Sequence, residues 1–159
     1  MDKVTLFAAW TARLEEARDQ ALARQQEARS GMRVDGAHRP ANRGERATVT
    51  SQGYLAEGLQ QRLEALESAL GLMERLEATP RTQVMMGATV RVESEHGDST
   101  WFAVLPGGDA TVVDHQGTPI AVLSQNAPFV RCFLGASEGE DVEVAIPNRA
   151  GVWAVEEVG

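Results

Sequence analysis

The stretch from Leu59 to Pro80 reads LQQRLEALESALGLMERLEATP and contains the clearest fold signal of the chain. Its large apolar residues alternate steps of four and three, which is the spacing of a heptad seam. The seam residues are Leu59, Leu63, Leu66, Leu70 and Met73. The pair Thr79-Pro80 closes the segment, because the residue before a proline is steered away from the α region. We therefore expect a helix over about 48–78 and a domain boundary at 79/80.

A second helical segment precedes this one. Residues 4–30 contain neither Pro nor Gly and are rich in strong helix formers. Their apolar stripe consists of Phe7, Trp10, Leu14, Ala17, Ala21 and Ala28. Neither amphipathic segment is expected to be stable alone, whereas pairing buries both stripes. Residues 1–79 are therefore predicted to form an antiparallel helical hairpin, a coiled coil about 40 Å long. Since this exceeds the diameter of a domain of about 80 residues, we expect the hairpin to protrude.

Beyond Pro80 the apolar period changes to two, which is typical of β-strands. Strands are predicted over 84–92, 101–105, 111–113, 120–123, 142–146 and 152–158, with a helical turn near 128–134. Turn residues such as Pro106-Gly107-Gly108 separate them and favour an antiparallel meander, with Trp101 and Trp153 in its core. The fold class is therefore α+β: the hairpin, then a small antiparallel β-rich domain over 80–159.

Composition narrows the class of protein. The net charge is −8, and no apolar run approaches the roughly 20 residues that span a bilayer. This negative net charge argues against a protein that coats nucleic acid. The two halves differ in charge, since residues 1–80 carry 11 basic and 12 acidic groups, whereas 81–159 carry 4 and 11. Cys132 has no disulfide partner and sits among apolar neighbours, so a buried thiol is expected. We expect a cytoplasmic protein without a secretion signal or membrane contact.

The second half carries a serial pattern of short motifs. These are Val84 with Gly87, Val90 and Val92; Ile120 to Ser124; Ala127-Pro128-Phe129; Phe133-Leu134-Gly135; Gly139 to Val144; and the closing strand around Trp153 and Val155. In this order, behind a helical hairpin, they resemble the C-terminal domain of the Gre family of bacterial transcription elongation factors. The resemblance implies an FKBP-like fold that docks on the rim of the secondary channel of bacterial RNA polymerase. It also implies that the coiled coil enters the channel and brings its tip near the active centre.

The resemblance also implies a docking loop. In Gre factors the loop with a proline just before a short helix contacts the polymerase, and by position this loop contains Asn126, Pro128 and Phe129. The alternative is that Pro128 only starts a helix, since proline is favoured at the first helical position. A prolyl isomerase is disfavoured, because fold does not imply function and the sequence indicates no aromatic-lined proline pocket.

The hairpin tip, about 31–47, departs from the family. Cleavage-stimulating Gre factors carry two tip carboxylates three residues apart, which help hold a magnesium ion in the polymerase active site, as suits a hard cation. Alignment through Gln52-Gly53-Tyr54-Leu55 places His38 and Ala41 at these positions. Asp35 and Glu45 flank them and are the candidate oxygen ligands for such a shared magnesium. The alternative is a turn at Asp35 and a solvated first-turn carboxylate at Glu45.

The tip is basic instead. Its candidate contacts are Arg33, His38, Arg39, Arg43 and Arg46, and over 24–46 six arginines face three carboxylates. The guanidinium group can form two parallel hydrogen bonds, which fits nucleic-acid phosphate, a nucleotide or acidic groups lining the channel. Arginines that are simply solvated explain the pattern equally well. Of the three histidines, His96 and His115 lie in predicted turns, and no ligand spacing links them to His38. The chain also has no Gly-rich phosphate loop, so no metal site or cofactor of its own is expected.

We therefore expect a non-enzymatic, Gre-like regulator that binds bacterial RNA polymerase and contacts nucleic acid only indirectly, within the elongation complex. At most it stimulates the RNA-cleavage activity of the polymerase itself. One alternative is an inhibitor that occludes the secondary channel with its basic tip and has no cleavage activity. Another is a helical interaction module unrelated to polymerase, since exposed heptad seams pair with other helices.

Overall fold

The computed structural model describes the backbone of residues 2–32 and 43–159, and the side chains of these residues other than 31, 32, 43–50 and 52. Two long helices come first, and a sheet with one short helix follows. In chain order the elements are α1 (Lys3–Met32), α2 (Arg43–Met73), β1 (Thr89–Ser94), β2 (Ser99–Val104), β3 (Asp109–His115), β4 (Thr118–Leu123), α3 (Pro128–Phe133), β5 (Asp141–Val144) and β6 (Gly151–Val158). The predicted α+β class is confirmed.

Helix α1 begins at a capping carboxylate. The Asp2 side chain accepts a 3.1 Å hydrogen bond from the amide of Val4 and another from the hydroxyl of Thr5. Such bonds satisfy amide groups that have no partner inside the first turn. The bonds from Thr5 are the main reason why the pKa of Asp2 lies below its usual value. The helix predicted over 4–30 therefore has a defined start.

The two helices pair through the predicted stripes. Leu14 and Ala21 of α1 are buried, as are Leu63, Leu66 and Leu70 of α2. Leu59, Ala17 and Ala28 are only half-buried. The chain direction follows from two contacts. Gln25 donates a 2.6 Å hydrogen bond to Gln60, whereas Lys3, at the start of α1, reaches Thr79 beyond the end of α2. The predicted antiparallel hairpin is confirmed.

Helix α2 ends at Met73, earlier than the predicted residue 78. The amides of Arg75 and Leu76 bond to carbonyl groups three residues back, at Leu72 and Met73, which tightens the last turn. The side chain of Arg75 also donates to the carbonyl of Gly71 at 2.9 Å. These bonds satisfy carbonyl groups that the end of a helix would leave free, so the helix stops where its apolar seam stops.

All six predicted strands are present, in the order β3-β4-β2-β1-β6-β5. The first strand is shorter than predicted and starts at Thr89, because Gly87 has a φ of 86° and turns the chain. The prediction of a simple antiparallel meander is wrong. Strands β2 and β4 are parallel neighbours, pairing Trp101 with Ile120 and Val104 with Leu123, and β3 lies outside β4 at the sheet edge.

The crossover from β2 to β3 explains this order. The turn at Pro106-Gly107-Gly108 runs across the end of β4, and Leu105 donates to the carbonyl of Leu123 at 3.0 Å. A Cβ atom on Gly108 would lie 2.3 Å from the carbonyl carbon of Leu123, so only glycine fits here. Strand β4, with Ile120 and Val122 fully buried, takes the interior position, and the more polar β3 takes the edge.

The sheet buries residues on both faces. One face carries α3 and a cluster that includes Val90, Val92, Phe102, Phe133 and Trp153. Ala103, Ile120 and Val122 are also fully buried, but their neighbours in sequence, Phe102 and Ala121, belong to this cluster. Because side chains alternate along a strand, these three residues point to the opposite face.

The first turns of α1 bind to the sheet. The indole nitrogen of Trp10 donates a 2.9 Å hydrogen bond to the carbonyl of Pro106, between β2 and β3. The ammonium group of Lys3 donates to the carbonyl of Gly159, just beyond β6. Leu6, Phe7 and Trp10 are all buried. The start of α1 is therefore part of the packing of the sheet.

The chain divides into two compact units. One contains Met1–Thr11 together with Gly71–Gly159, and the other contains Ala12–Leu70. The division into domains at 79/80, with the hairpin over 1–79, stays a prediction. Among the helices that the structure describes, we find no segment with the length and hydrophobicity of a membrane span.

Candidate functional site

The predicted docking loop lies between β4 and α3. The amide of Ala127 donates to the carbonyl of Ser124 at 3.0 Å, which closes a turn. Ala127 then has an extended backbone, with φ −58° and ψ 132°, and Pro128 is the first residue of α3. This is the arrangement expected of a residue before proline, and no side chain caps the helix. Asn126 and Pro128 are both exposed, so the loop presents them on the surface.

Phe129 has a different place from its two neighbours. Its side chain is 7% exposed and belongs to the core. Its ring lies 5.0 Å from Phe133, 5.4 Å from Trp153 and 5.8 Å from Phe102, in edge-to-face arrangements that stabilise aromatic pairs. The structure therefore places Phe129 beneath the loop as its support, and presents Asn126 and Pro128 to solvent.

Arg149 lies beside this loop and was missed in the sequence. Its guanidinium carbon lies 4.5 Å from the centroid of the Phe129 ring, a cation–π contact. Arg149 follows Phe129 by twenty residues and lies in the turn between β5 and β6. The fold brings these two positions together, and no spacing rule in a single sequence predicts that. The composite surface of Asn126, Pro128 and Arg149 is called the loop surface below.

The groups on the loop surface are suited to binding a partner rather than to catalysis. It offers a side-chain amide, a pyrrolidine ring and a guanidinium group above buried aromatic rings, and arginine is among the residues enriched in protein interfaces. The nearby Cys132 is half-buried rather than buried as predicted, and its sulfur lies 3.5 Å from the carbonyl oxygen of Pro128. A general base beside the thiol, which nucleophilic catalysis would need, is absent from the described contacts of Cys132.

The structure does not describe the side chains of the residues predicted to form the tip contacts. Arg33, Asp35, His38 and Arg39 lie outside the described residues. Arg43, Glu45 and Arg46 lie in the first turn of α2, but their side chains are outside the description. The roles predicted for these residues stay predictions.

The remaining histidines do not assemble a metal site. His96 is exposed in the turn between β1 and β2, as predicted, and lies 4.0 Å from the carboxylate of Glu95. His115 is the last residue of β3 rather than part of a turn, and it is 6% exposed. Among the side chains that the structure describes, no three of His, Cys, Asp or Glu cluster as metal ligands.

Trp101 differs from the prediction that it packs in the core. It is half-buried and lines a shallow groove with Ser99, Thr100, Val112, Pro119 and Ala121. Val112, on the edge strand β3, is 61% exposed and lies on this groove. Trp153, by contrast, is buried, and its indole nitrogen donates to the carbonyl of Arg149, as buried tryptophans usually require.

Comparisons with known proteins support the resemblance seen in the sequence. No protein-family model matches the chain. Over 98 residues, 61% of the chain, it is 28% identical to transcription elongation factor GreA of Polaromonas naphthalenivorans strain CJ2. The match spans 58% of that protein. The predicted resemblance to Gre factors is confirmed at this level of similarity.

Solved structures give a weaker similarity. Gfh1, the GreA factor homologue of Thermus thermophilus, aligns with 94% of each chain at 18% identity and a TM-score of 0.39. Gfh1 of Thermus aquaticus aligns with 92% of each chain at 18% identity and a TM-score of 0.40. Such low scores establish neither a shared partner nor a shared activity.

Proposed function

We propose that the chain is a Gre-like regulator of transcript elongation that binds bacterial RNA polymerase. The observation that carries the proposal is the 98-residue similarity to GreA. The antiparallel helices and the sheet unit with its short proline-started helix are consistent with it. In this proposal the helices over 1–79 enter the secondary channel, residues 80–159 grip its rim, and the protein works in the cytoplasm.

The loop surface supplies the proposed grip. Asn126 and Pro128 are exposed, and the turn at Ser124 together with the buried ring of Phe129 fixes their position. A preorganised loop loses little conformational freedom on binding, and so retains more of the free energy of its contacts. Phe129 contributes by holding the loop rather than by contacting the partner.

The chain is proposed to regulate the polymerase rather than to act as an enzyme itself. If it stimulates transcript cleavage, the polymerase supplies the active site, and Asp35 or Glu45 adds oxygen ligands to the shared magnesium ion. One observation favours the second candidate, an occluding inhibitor. The positions that match the tip carboxylates of Gre factors hold His38 and Ala41, and the surrounding segment is basic. Its arginines would then contact acidic groups or phosphates in the channel.

Binding is tested with the full chain and purified core RNA polymerase. We expect co-elution at low salt, and about tenfold weaker binding by the double variant Asn126→Ala, Pro128→Ala. Pro119→Ala, which alters an exposed proline of β4, is the matched control and should bind like the unaltered protein. Absence of polymerase binding at low salt would overturn the proposal and leave the interaction module.

Transcript cleavage on stalled elongation complexes separates the two candidates. A cleavage stimulator shortens the RNA, and the double variant Asp35→Ala, Glu45→Ala abolishes the shortening. If the unaltered protein and the double variant shorten the RNA equally, Asp35 and Glu45 have no role in cleavage. An occluding inhibitor gives no shortening, and it slows elongation and competes with a cleavage-active Gre factor for the polymerase.

A further inference from the structure

Arg149 is held in place by its backbone. Its amide donates a 3.0 Å hydrogen bond to the carbonyl of Ile146, which closes the turn between β5 and β6. Its carbonyl accepts a 3.0 Å hydrogen bond from the buried indole of Trp153. Asn148, inside the turn, has a φ of 66°, a conformation that asparagine tolerates better than most residues. Hydrogen bonds at its amide and at its carbonyl therefore fix the backbone from which the Arg149 side chain extends.

The side chain is positioned as well. The guanidinium lies over the ring of Phe129, which is itself packed against Phe133 and Trp153. Stacking uses the flat face of a guanidinium and leaves its N–H edges available for hydrogen bonds. The side chain is exposed, so these edges are open to a partner. Arg149 therefore presents its donors at one place on the loop surface.

The guanidinium also lacks an ionic partner within the described residues. Glu95 and Asp98 line the same small cleft as Arg149, but neither forms an ion pair with it. This is notable because residues 81–159 contain 4 basic and 11 acidic side chains. In such surroundings an arginine that stacks on a ring instead of pairing with a carboxylate keeps its charge available for a binding partner.

We propose that Arg149 is a further recognition residue of the loop surface and that it binds a carboxylate on the polymerase. This inference rests on the proposed function. A carboxylate fits the two-pronged donor edge of arginine, and it can sit in a partner surface that is otherwise positive and complements the acidic unit. A phosphate backbone fits less well, because residues 81–159, with 4 basic and 11 acidic side chains, carry a net negative charge that repels a polyanion.

The test uses the full chain and core RNA polymerase, with dissociation constants measured by biolayer interferometry at two salt concentrations. Arg149→Met keeps an apolar cover on the Phe129 ring and removes the charge. It should weaken binding about tenfold at low salt and flatten the salt dependence. Arg149→Lys, which keeps the charge but loses the fork, should be intermediate. Arg91→Met is the matched control. Arg91 lies between Val90 and Val92 of the core cluster and therefore on the opposite face of β1, so the variant should change binding less than about twofold.

Several outcomes would overturn the inference. If the unaltered protein binds polymerase and Arg149→Met binds equally well, only the role of Arg149 is lost. If the unaltered protein does not bind, both the proposed function and this inference fail. If Arg149→Met lowers the melting temperature as much as Phe129→Leu, its role is structural. If the unaltered protein binds free RNA or DNA through Arg149, the partner group is a phosphate and the carboxylate is excluded.

Discussion

The ammonium group of Lys3 donates a 2.6 Å hydrogen bond to the carbonyl oxygen of Thr79. A second bond of 3.1 Å reaches the carbonyl of Gly159, so one side chain joins the start of α1, the segment after α2 and the segment after β6. Lys3 is 5% exposed, and it is the single lysine of the chain. The buried ammonium group thus loses contact with water, and two backbone carbonyl groups replace most of its hydration.

The stability of the protein should rise at alkaline pH because of Lys3. Burial, with a smaller effect of nearby Arg81, lowers the pKa of Lys3 from 10.5 to about 8. Below pH 8 the amine is protonated in both the folded and the unfolded state. Between pH 8 and 10.5 the folded state binds fewer protons, so the free energy of unfolding increases with pH. Because there is one lysine, its titration can be followed by NMR of lysine-labelled protein.

Lys3→Met provides the control for this prediction. The free energy of unfolding of the variant, measured in urea, should lack the part of the alkaline rise that Lys3 contributes. The difference between the two proteins should therefore change across this window and be constant below it. An Nζ titration midpoint at the ordinary lysine value would contradict the prediction.

Trp10 should be a large contributor to the stability of the sheet unit. It is 1% exposed, and its indole bonds to the carbonyl of Pro106. Trp10→Phe removes the bond and leaves a cavity, so we expect a loss of about 2–3 kcal/mol in urea unfolding. Trp101→Phe is the control, because Trp101 is half-buried at the rim of a groove and its replacement should cost less than about 1 kcal/mol. Equal losses would show that the contact with Pro106 adds little.

Gly108 should tolerate no side chain. Gly108→Ala places a Cβ atom 2.3 Å from the backbone of Leu123, so β4 or the crossover must shift, and we expect a loss of more than about 3 kcal/mol. Gly97→Ala isolates the effect of backbone conformation. Gly97 has a φ of 85° but open space around it, so this change should cost about 1–2 kcal/mol. Similar unfolding midpoints for the two variants would refute the steric argument.

The sequence predicted the helices better than the topology. Periodicity reports which residues share a face, and Leu63, Leu66 and Leu70 are indeed buried. It does not report which strands become neighbours, and here the parallel pairing of β2 with β4 comes with a close backbone contact at Gly108. Periodicity also fails to predict that polar residues within an apolar stripe are buried. Lys3 and Gln25 are buried because carbonyl and amide partners far along the chain receive their hydrogen bonds.

The same limit applies to the candidate site. Asn126 and Pro128 could be found from a local pattern, because exposure in a turn before a proline-started helix depends on neighbouring residues. The separation of Phe129 from them depends on Trp153 and Phe102, and Arg149 joins them only through the sheet. Long-range packing therefore decides which residues of this region are exposed and which support them from below.

The pair Gln25 and Gln60 should set the register of the helices at a cost in stability. Gln25 is 6% exposed, and Gln60 also donates a 2.9 Å hydrogen bond to Glu64, so Gln60 keeps one partner if Gln25 is replaced. Gln25→Leu should therefore raise the free energy of unfolding by about 1 kcal/mol and permit other pairings, seen as self-association in sedimentation. Gln26→Leu, at an exposed position next to it, should not raise stability. If Gln25→Leu destabilises the protein and leaves it monomeric, the hydrogen bond stabilises the hairpin and does not select its register.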